Sequence, residues 1–251
     1  DRDSATNIPL LEENLENDKD KNNNFSLEGS AEGGNENNRT VASVDFQGKL
    51  LSMAGSFVSV DSYSGSAQMS IPIVVPTGRA GIQPNISLNY NSNTELGLAG
   101  VGWTLELASI QRSAKRGAPH YDNTDIFLLS QDSGTQELVY DASAGFYRSK
   151  IEGAFMKIEF LSSDNKWRVT DRKGVKYYFG QTNSSREFDP NNNAHVFKWA
   201  LDKVEDVLGN YMMISYGRDQ EILYIEHIYY TFHPQLNNSF ARIDFLYENR
   251  P

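Results

Sequence analysis

From Val41 onward, short runs of alternating apolar and polar residues are separated by Gly, Asn, Asp and Pro. Alternation with a period of two is typical of β-strands that bury one face, whereas helical periodicity is scarce here. The pattern predicts strands at 57–63, 69–75, 85–90, 103–112, 126–129, 136–140, 146–150, 154–161, 166–171, 175–179, 195–203, 211–216, 222–231 and 241–247. We therefore expect an all-β fold.

The connections between these strands are short and rich in turn-forming residues. Segments 163–165, 171–174 and 206–210 contain Asp, Asn and Gly, which tolerate turn or left-handed backbone conformations. Hairpins of this kind predict a meandering, mostly antiparallel sheet that is curved or packed like a sandwich. Prolines lack a backbone donor, so the three that lie in and after the second predicted strand should occupy a sheet edge or corners: Pro72, Pro76 and Pro84.

Two of the predicted hairpins resemble each other. Both contain Asp-x-x-Gly, at 171–174 and at 206–209, followed by a strand that contains Tyr. Asp and Gly would shape the turn, and the aromatic and β-branched residues would pack the next strand. The stretch 166–231 thus predicts a repeated hairpin, although two copies make a weak repeat.

Composition divides the chain into two parts. Residues 1–40 contain ten acidic and four basic side chains, a net charge of −6, together with nine Asn and few large apolar residues. Such a stretch cannot bury enough apolar area to offset chain entropy. We expect residues 1–43 to form a disordered leader and residues 44–251 to form one β domain.

Charge and cysteine content exclude several classes of function. A formal charge of −10 and a pI near 4.9 do not provide the basic surface that nucleic acid requires. The absence of Cys excludes disulfide frameworks, thiolate metal sites and Cys nucleophiles. The longest apolar runs, such as 71–75, are far shorter than the roughly 20 residues of a membrane-spanning helix. We expect neither a nucleic-acid partner nor a membrane span.

Catalytic motifs are missing from the sequence. The four histidines, His120, His195, His227 and His233, lie in no known catalytic string, and we expect surface or sheet-packed side chains. His227 and His233 could share a strand face, but Pro234 predicts that the strand ends there. No Glu-x-Glu pair, serine-nucleophile elbow or Walker loop is present. The sequence predicts no enzyme, no catalytic residue and no cofactor.

Two kinds of candidate binding loop have simpler interpretations. Gly97, Gly100 and Gly102 precede Trp103 and a strand rather than a helix N-terminus, so we expect a tight turn that lets the tryptophan enter a core. Three acidic stretches could offer oxygen ligands to Ca²⁺, but each lacks a complete ligand set and is interpreted as a solvated turn, with no metal expected. These stretches are 18–22, 122–125 and 189–193.

The most specific stretch is SGSAQMSIPIVVPTGRAGIQPNISLNYNS at 64–92, followed by GLAGVGWTL at 97–105 and by Ile110-Gln111-Arg112. With its prolines, glycines and Trp103 in register, this stretch resembles the N-terminal domain of the Salmonella virulence plasmid B protein (SpvB) family, which is shared with the B subunits of insecticidal toxin complexes. The resemblance covers residues 56–251, and the hairpins at 166–231 are similar to YD/RHS repeats.

The resemblance implies a non-enzymatic structural domain of a secreted toxin or virulence factor, part of a shell that encloses or supports delivery of a C-terminal toxic domain. It implies partners within a toxin complex: an RHS shell, a β-propeller and the toxic domain. The expected location is extracellular or at a cell surface, although no apolar signal segment follows Asp1. A chain ending at Pro251 would be a fragment or a short member. Two alternatives stay open. The 13 Tyr, the 13 Phe and the Asn-rich leader favour a cell-surface or glycan-binding module. An enzyme that uses carboxylates alone, such as a glycosidase pair, ranks lowest because no two acids can be assigned the required spacing.

Overall fold

The computed structural model describes residues 26–28, 41–43, 58–60, 65–94, 96–97, 99–105, 107–122, 124–131, 134–219, 222–235 and 239–248. The strands within them are β1 (Ser26–Glu28), β2 (Val41–Ser43), β3 (Val58–Val60), β4 (Ala67–Ile73), β5 (Ile86–Asn91), β6 (Leu96–Gly97), β7 (Gly100–Val101), β8 (Trp103–Thr104), β9 (Ser109–Arg112), β10 (Phe127–Gln131), β11 (Gly134–Asp141), β12 (Phe146–Ser149), β13 (Lys157–Leu161), β14 (Lys166–Thr170), β15 (Lys176–Phe179), β16 (Arg186–Asp189), β17 (Asn192–Glu205), β18 (Tyr211–Asp219), β19 (Ile222–Phe232) and β20 (Ala241–Asp244). Two 3-10 helices span Arg79–Gly81 and Asn183–Ser185. The leader predicted at 1–43 lies outside the described residues except for β1 and β2, which pair with each other.

Eight of the strands close into a ring. Strands β9 to β15 pair in chain order, and the long strand β17 pairs both with β15 and with β9. At the closing pair, Ile110 of β9 faces Trp199 of β17. All of these pairs are antiparallel. Because both edges of every ring strand are paired, the sheet curls into a barrel-like shape around its own interior.

Aromatic rings from five different strands fill this interior. They are Phe127, Tyr147, Phe160, Trp167 and Trp199, and the centroids of contacting pairs lie between 4.8 and 6.3 Å apart. Trp167 and Trp199 are completely buried. Large aromatic side chains bury the most apolar area per residue, so this cluster is a main source of the ring's stability.

Strands β18, β19 and β20 extend the sheet beyond β17. The start of β17 pairs with β16 and β9, and its end pairs with β15 and β18, so this one strand joins the ring to the extension. The extension buries its own apolar residues: Met212, Ile214, Leu223, Ile225, Ile228 and Ile243. A separate antiparallel sheet has the order β3-β4-β5-β8.

Prolines lie where the sequence predicted an edge or a corner. Pro72 of β4 faces Ser87 of β5, and among the described residues β3 reaches only as far as Met69. Within the part of the chain that the structure describes, Pro72 therefore has a strand partner on one side only. Pro76 and Pro84 lie in the connection between β4 and β5, which contains a 3-10 helix.

The two Asp-x-x-Gly turns have the same hydrogen bonds. Asp171 Oδ1 accepts the backbone N–H groups two and four positions later at 2.8 and 2.9 Å, and Asp206 Oδ1 does the same at 2.8 and 2.8 Å. Gly174 and Gly209 have φ values of 81° and 85°, the left-handed region that favours glycine. The predicted pair of similar hairpins is confirmed, and their likeness to YD/RHS repeats stays a prediction.

The all-β, mostly antiparallel fold is confirmed. One predicted strand is wrong: segment 103–112 divides into β8 and β9, which belong to different sheets. Strand β16 is missing from the prediction because Arg186–Asp189 is polar enough to lack an apolar alternation. None of the helices in the described residues is long and apolar enough to cross a membrane.

Candidate functional site

The loop between β9 and β10 contributes Asp125 to a buried ion pair with Arg112, the last residue of β9. The side chains of Arg112 and Asp125 are 8% and 7% exposed, and Arg112 Nη1 lies 2.6 Å from Asp125 Oδ2. Arg112 Nε also donates to the Val196 carbonyl of β17 at 2.9 Å, and its Nη1 donates to the Asp122 carbonyl at 3.3 Å. One guanidinium therefore joins the loop to the strand that closes the ring.

Aromatic rings surround the same guanidinium. Arg112 Cζ lies 5.0 Å from the ring centroid of Phe127, 5.3 Å from that of Tyr121 and 5.5 Å from that of Trp199. Tyr121 in turn stacks on His195, with centroids 4.4 Å apart and planes 5° from parallel. Cation–π contacts at desolvated sites offset part of the cost of burying a charge.

Hydrogen bonds hold the nearby carboxylates in their ionised form. Burial alone raises the pKa of Asp125, but the backbone N–H groups of His120 and Tyr121 and the guanidinium outweigh it, so the pKa lies below its usual value. The pKa of Asp122 is also lowered, chiefly because the hydroxyl and the N–H of Thr124 donate to it. Both carboxylates therefore carry charge at neutral pH.

The same loop could offer ligands to a metal ion. His120, Asp122 and Asp125 present ligand atoms within 4.8 Å of one another. Both oxygens of Asp125 already accept hydrogen bonds, and Arg112 places a positive charge against one of them. A cation would have to compete with that guanidinium. A solvated turn stays the interpretation of 122–125, and the predicted absence of a metal stays a prediction.

The other two acidic stretches give no metal cluster in the described residues. Segment 18–22 lies outside them. Segment 189–193 forms the turn between β16 and β17, where Asp189 Oδ1 accepts the backbone N–H of Asn191 at 2.9 Å.

A row of Ser, His and Asp crosses the sheet extension. Ser215 of β18 faces His227 of β19, which faces Asp244 of β20. His227 Nδ1 lies 2.6 Å from Asp244 Oδ1, and Arg242 Nε lies 2.9 Å from the same oxygen. A serine nucleophile needs a base within hydrogen-bond reach and access to substrate. Ser215 Oγ is buried and has no hydrogen-bond partner among the described groups. The row therefore offers this serine neither a base within hydrogen-bond reach nor access to a substrate.

Asp202 of β17 is a buried carboxyl group, 5% exposed. Its Oδ2 accepts hydrogen bonds from Ser185 Oγ and from the Gln181 N–H, both at 2.6 Å, while Oδ1 has no partner among the described groups. Burial raises the pKa of Asp202, and these hydrogen bonds oppose the shift only in part. Burial also raises the pKa of Tyr216, with a smaller contribution from Asp202. These groups link stability to pH.

The remaining candidates from the sequence have structural roles. His120 is exposed, and His233 Nδ1 accepts the N–H of Gln235. Strand β19 ends at Phe232, before Pro234, as predicted. Sequence reasoning does not predict the ion pair between Arg112 and Asp125, because the loop that supplies Asp125 has no regular pattern.

The glycine turn forms as predicted, but its tryptophan does not enter the core. Gly102 has a φ of 78°, and a Cβ built on it would lie 2.6 Å from the ring of Tyr90. Trp103 is only half-buried and packs on Tyr90 with centroids 5.1 Å apart. Beside this pair lies a polar groove of about 390 Å³, lined mainly by hydroxyl and amide side chains. The expectation of a core tryptophan is wrong because β8 lies in the small sheet rather than in the ring.

Comparison with known proteins gives a family match. The sequence matches the family described as Salmonella virulence plasmid 65kDa B protein over residues 61–242. A curated relative, Mono(ADP-ribosyl)transferase SpvB of Salmonella choleraesuis (strain SC-B67), is 26% identical over 201 residues, which cover 70% of this chain and 33% of the relative. The chain thus spans about a third of the length of the curated relatives it matches.

Solved structures share the fold. The N-terminal domain of effector protein SpvB from Salmonella typhimurium strain LT2 matches with a TM-score of 0.55 and 24% identity, over 64% of this chain and 63% of that one. The TcdB2-TccC3 structure matches with a TM-score of 0.60 and 23% identity, over 72% of this chain and 11% of that one. The similar structures therefore include parts of a toxin complex, and the relatives are toxin and effector proteins, in keeping with secretion.

These relatives overturn three expectations. They are named as an enzyme, so the expectations of a non-enzymatic shell domain, of a glycan-binding module as its alternative, and of no enzyme are wrong. The motif search failed because it could test only residues of this chain, which match a third of those proteins. A motif search of this chain cannot detect catalytic residues that lie elsewhere in such a protein. Because the family match spans residues 61–242, well over half of this chain, the chain belongs to the Salmonella virulence plasmid 65kDa B protein family.

Proposed function

We propose that this chain is part of a mono(ADP-ribosyl)transferase toxin, within which it binds other domains or subunits of the toxin. The observation that carries the proposal is the match to curated relatives named for that activity, of which this chain covers a third. Such a toxin transfers ADP-ribose from NAD⁺ to an acceptor. The residues described here would serve assembly, and the proposed location is extracellular or at a cell surface.

The geometry of the sheet extension supports an assembly role. Strand β20 pairs with β19, and among the described residues no second strand pairs with it, although β1 lies in contact with β20. An open edge offers backbone donors and acceptors to a strand from another domain. The partners we propose are an RHS shell, a β-propeller and a C-terminal toxic domain, and the likeness to TcdB2-TccC3 supports partners of this kind.

Two measurements test this proposal separately. The protein expressed from its complete gene is incubated with biotinylated NAD⁺ and eukaryotic cytosol, and we expect biotin to be transferred to a protein acceptor. The 251-residue chain is mixed with a TccC3-type subunit on a size-exclusion column, and we expect co-elution. Absence of labelling would refute the transferase part, and separate elution would refute the assembly part.

A further inference from the structure

The turn between β15 and β16 is held by the buried carboxyl group of Asp202. This turn, segment 181–185, contains the second 3-10 helix. Asp202 Oδ2 accepts the backbone N–H of Gln181 at 2.6 Å and lies 2.6 Å from the hydroxyl oxygen of Ser185. One side chain of β17 therefore contacts both ends of the turn.

The short contacts around this carboxyl group fit its neutral form. Ser185 Oγ lies 2.6 Å from Asp202 Oδ2 and 2.9 Å from the Thr182 carbonyl, yet a hydroxyl group has only one hydrogen to donate. When Asp202 carries a proton on Oδ2, it donates that proton to Ser185 Oγ, and the serine donates its own hydrogen to the Thr182 carbonyl. The proton on Asp202 thus completes a chain of two hydrogen bonds across the turn.

The ionised form is poorly stabilised at the same place. Asp202 is 5% exposed, and its Oδ1 has no hydrogen-bond partner among the described groups. A buried oxygen without a donor costs most when it carries charge. Burial therefore raises the pKa of Asp202, and the hydrogen bonds to its carboxyl group reverse only part of that shift. Loss of the proton favours a rearrangement that brings water to Oδ1.

Ionisable groups from two neighbouring strands, Arg186 of β16 and Tyr216 of β18, face Asp202. Arg186 donates from Nε to the Gly180 carbonyl and from Nη2 to the Asp164 carbonyl, both at 2.7 Å. The Tyr216 hydroxyl donates to a backbone carbonyl of β17 at 2.6 Å. Neither group donates to Asp202 in the described part of the chain, so an ionised Asp202 has no charged hydrogen-bond donor there.

The turn also connects the ring to the sheet extension. Arg218 of β18 donates from Nη2 to the Asn183 carbonyl at 3.1 Å and to the Arg186 carbonyl. Its Cζ lies 4.1 Å from the ring centroid of Phe188 in β16. A movement of segment 181–185 would therefore break a contact between the extension and the strand that follows the turn.

We propose that Asp202 is a proton-dependent switch that controls this turn. With the carboxyl group neutral, the hydrogen-bond chain through Ser185 keeps segment 181–185 packed on β17. When the proton is lost, the turn opens so that water reaches the carboxylate, and the hydrogen bond from Arg218 to the turn is lost with it. Because the pKa of Asp202 is raised in the folded state, the closed turn is favoured below the unfolded pKa and is lost as the pH rises through the folded pKa.

Hydrogen exchange followed by mass spectrometry on the 251-residue chain tests the proposal. After correction for the intrinsic pH dependence of amide exchange, we expect the protection of peptide 180–187 to fall at least about tenfold between about pH 5 and about pH 9. Peptide 166–170 of β14 should keep its protection, which distinguishes local opening from global unfolding. Asp202→Asn cannot ionise, so the protection of peptide 180–187 should change by less than about twofold in this variant.

Infrared difference spectra between the two pH values report the proton itself. Wild type should show a protonated-carboxyl band at the lower pH that decreases as the turn opens, and Asp202→Asn should lack this component. The band and the protection of peptide 180–187 should change over the same pH range, because one proton controls both.

Asp164→Asn is the matched control. The Asp164 side chain is exposed and pairs with Lys166 at 2.6 Å, so this variant removes a nearby carboxylate without touching Asp202. It should keep the pH dependence of wild type, and circular dichroism checks that each variant is folded. The proposal is overturned if protection of peptide 180–187 in wild type does not fall with pH, an outcome that needs no variant. It is also overturned if Asp202→Asn keeps the wild-type pH dependence, or if Asp164→Asn abolishes it.

Discussion

Replacing Asp125 with Ala leaves the Arg112 guanidinium charged and buried without its carboxylate. The change removes the contact with Nη1 at 2.6 Å and the acceptor for the N–H groups of His120 and Tyr121, at 2.9 and 2.7 Å. Breaking a buried pair by removing one partner typically costs about 3–5 kcal/mol. The aromatic rings around Arg112 remain and retain part of the stabilisation, so we expect a loss of about 3–4 kcal/mol in the free energy of unfolding.

Removing both charges should cost less than removing one. In the double variant Arg112→Met/Asp125→Ala, the flexible methionine fills space among the same rings and no uncompensated charge is left. We expect this variant to lose only about 1–2 kcal/mol. The double variant should therefore be about 2 kcal/mol more stable than Asp125→Ala.

Urea unfolding followed by tryptophan fluorescence measures these differences, since Trp167 and Trp199 are buried in the ring. Because the pKa of Asp125 is lowered in the folded state, its contribution is present above the unfolded pKa and is lost as the pH falls through the folded pKa. The difference between wild type and Asp125→Ala should shrink on acidification. A loss below about 1 kcal/mol, or a double variant no more stable than Asp125→Ala, would refute the reasoning.

Three further predictions concern stability. The pKa of Asp202 is raised in the folded state, so its stability contribution is present below the unfolded pKa and is lost as the pH rises through the folded pKa. In urea titrations, Asp202→Asn should therefore stabilise the protein more near pH 8 than near pH 4. Equal effects at the two pH values would contradict this prediction. Gly180 has a φ of 67°, and a Cβ there would lie 2.3 Å from a carbon of the Trp199 indole, so Gly180→Ala should cost about 3 kcal/mol of stability. The control Gly153→Ala has open space around the new Cβ and should change stability by less than about 0.5 kcal/mol. Trp103→Ala should cost about 1–2 kcal/mol against about 3–5 for Trp167→Ala in thermal unfolding, and equal losses would show that Trp103 carries more of the packing than its exposure indicates.

The parts of the fold that depend on local chemistry could be predicted from the sequence. Most predicted strands form, with 103–112 and the missed β16 as exceptions, and the turns at Asp171 and Asp206 follow from residues that fix the turn by themselves. Ring closure could not be predicted in this way. The pairing of β17 with β9 and β15 joins distant segments, and nothing in the alternation of one strand specifies which other strand it meets.

The buried ion pair between Arg112 and Asp125 could not be predicted from the sequence for a related reason. Arg112 is the last residue of β9 and also of the predicted strand 103–112, whereas Asp125 stands in a loop whose sequence predicts a solvated turn. Only the fold brings them to 2.6 Å and removes them from water. The sequence predicts a core position for Trp103 because a large aromatic residue after a glycine turn is usually buried. In the structure, Trp103 lies in β8 of the small sheet, and the chain enters the ring only with the next strand, β9.

The order of synthesis gives the long strand β17 a particular importance. Arg112 bonds to Val196, 84 positions further along the chain, so strands β9 to β15 leave the ribosome well before the strand that joins their two free edges. Pairings across such sequence separations are slow to form, and unpaired edges attract other chains in the meantime. Until β17 has been synthesised, strands β9 to β15 form an open sheet with two unpaired edges. During this interval, aggregation and the exchange of strands between molecules compete with folding.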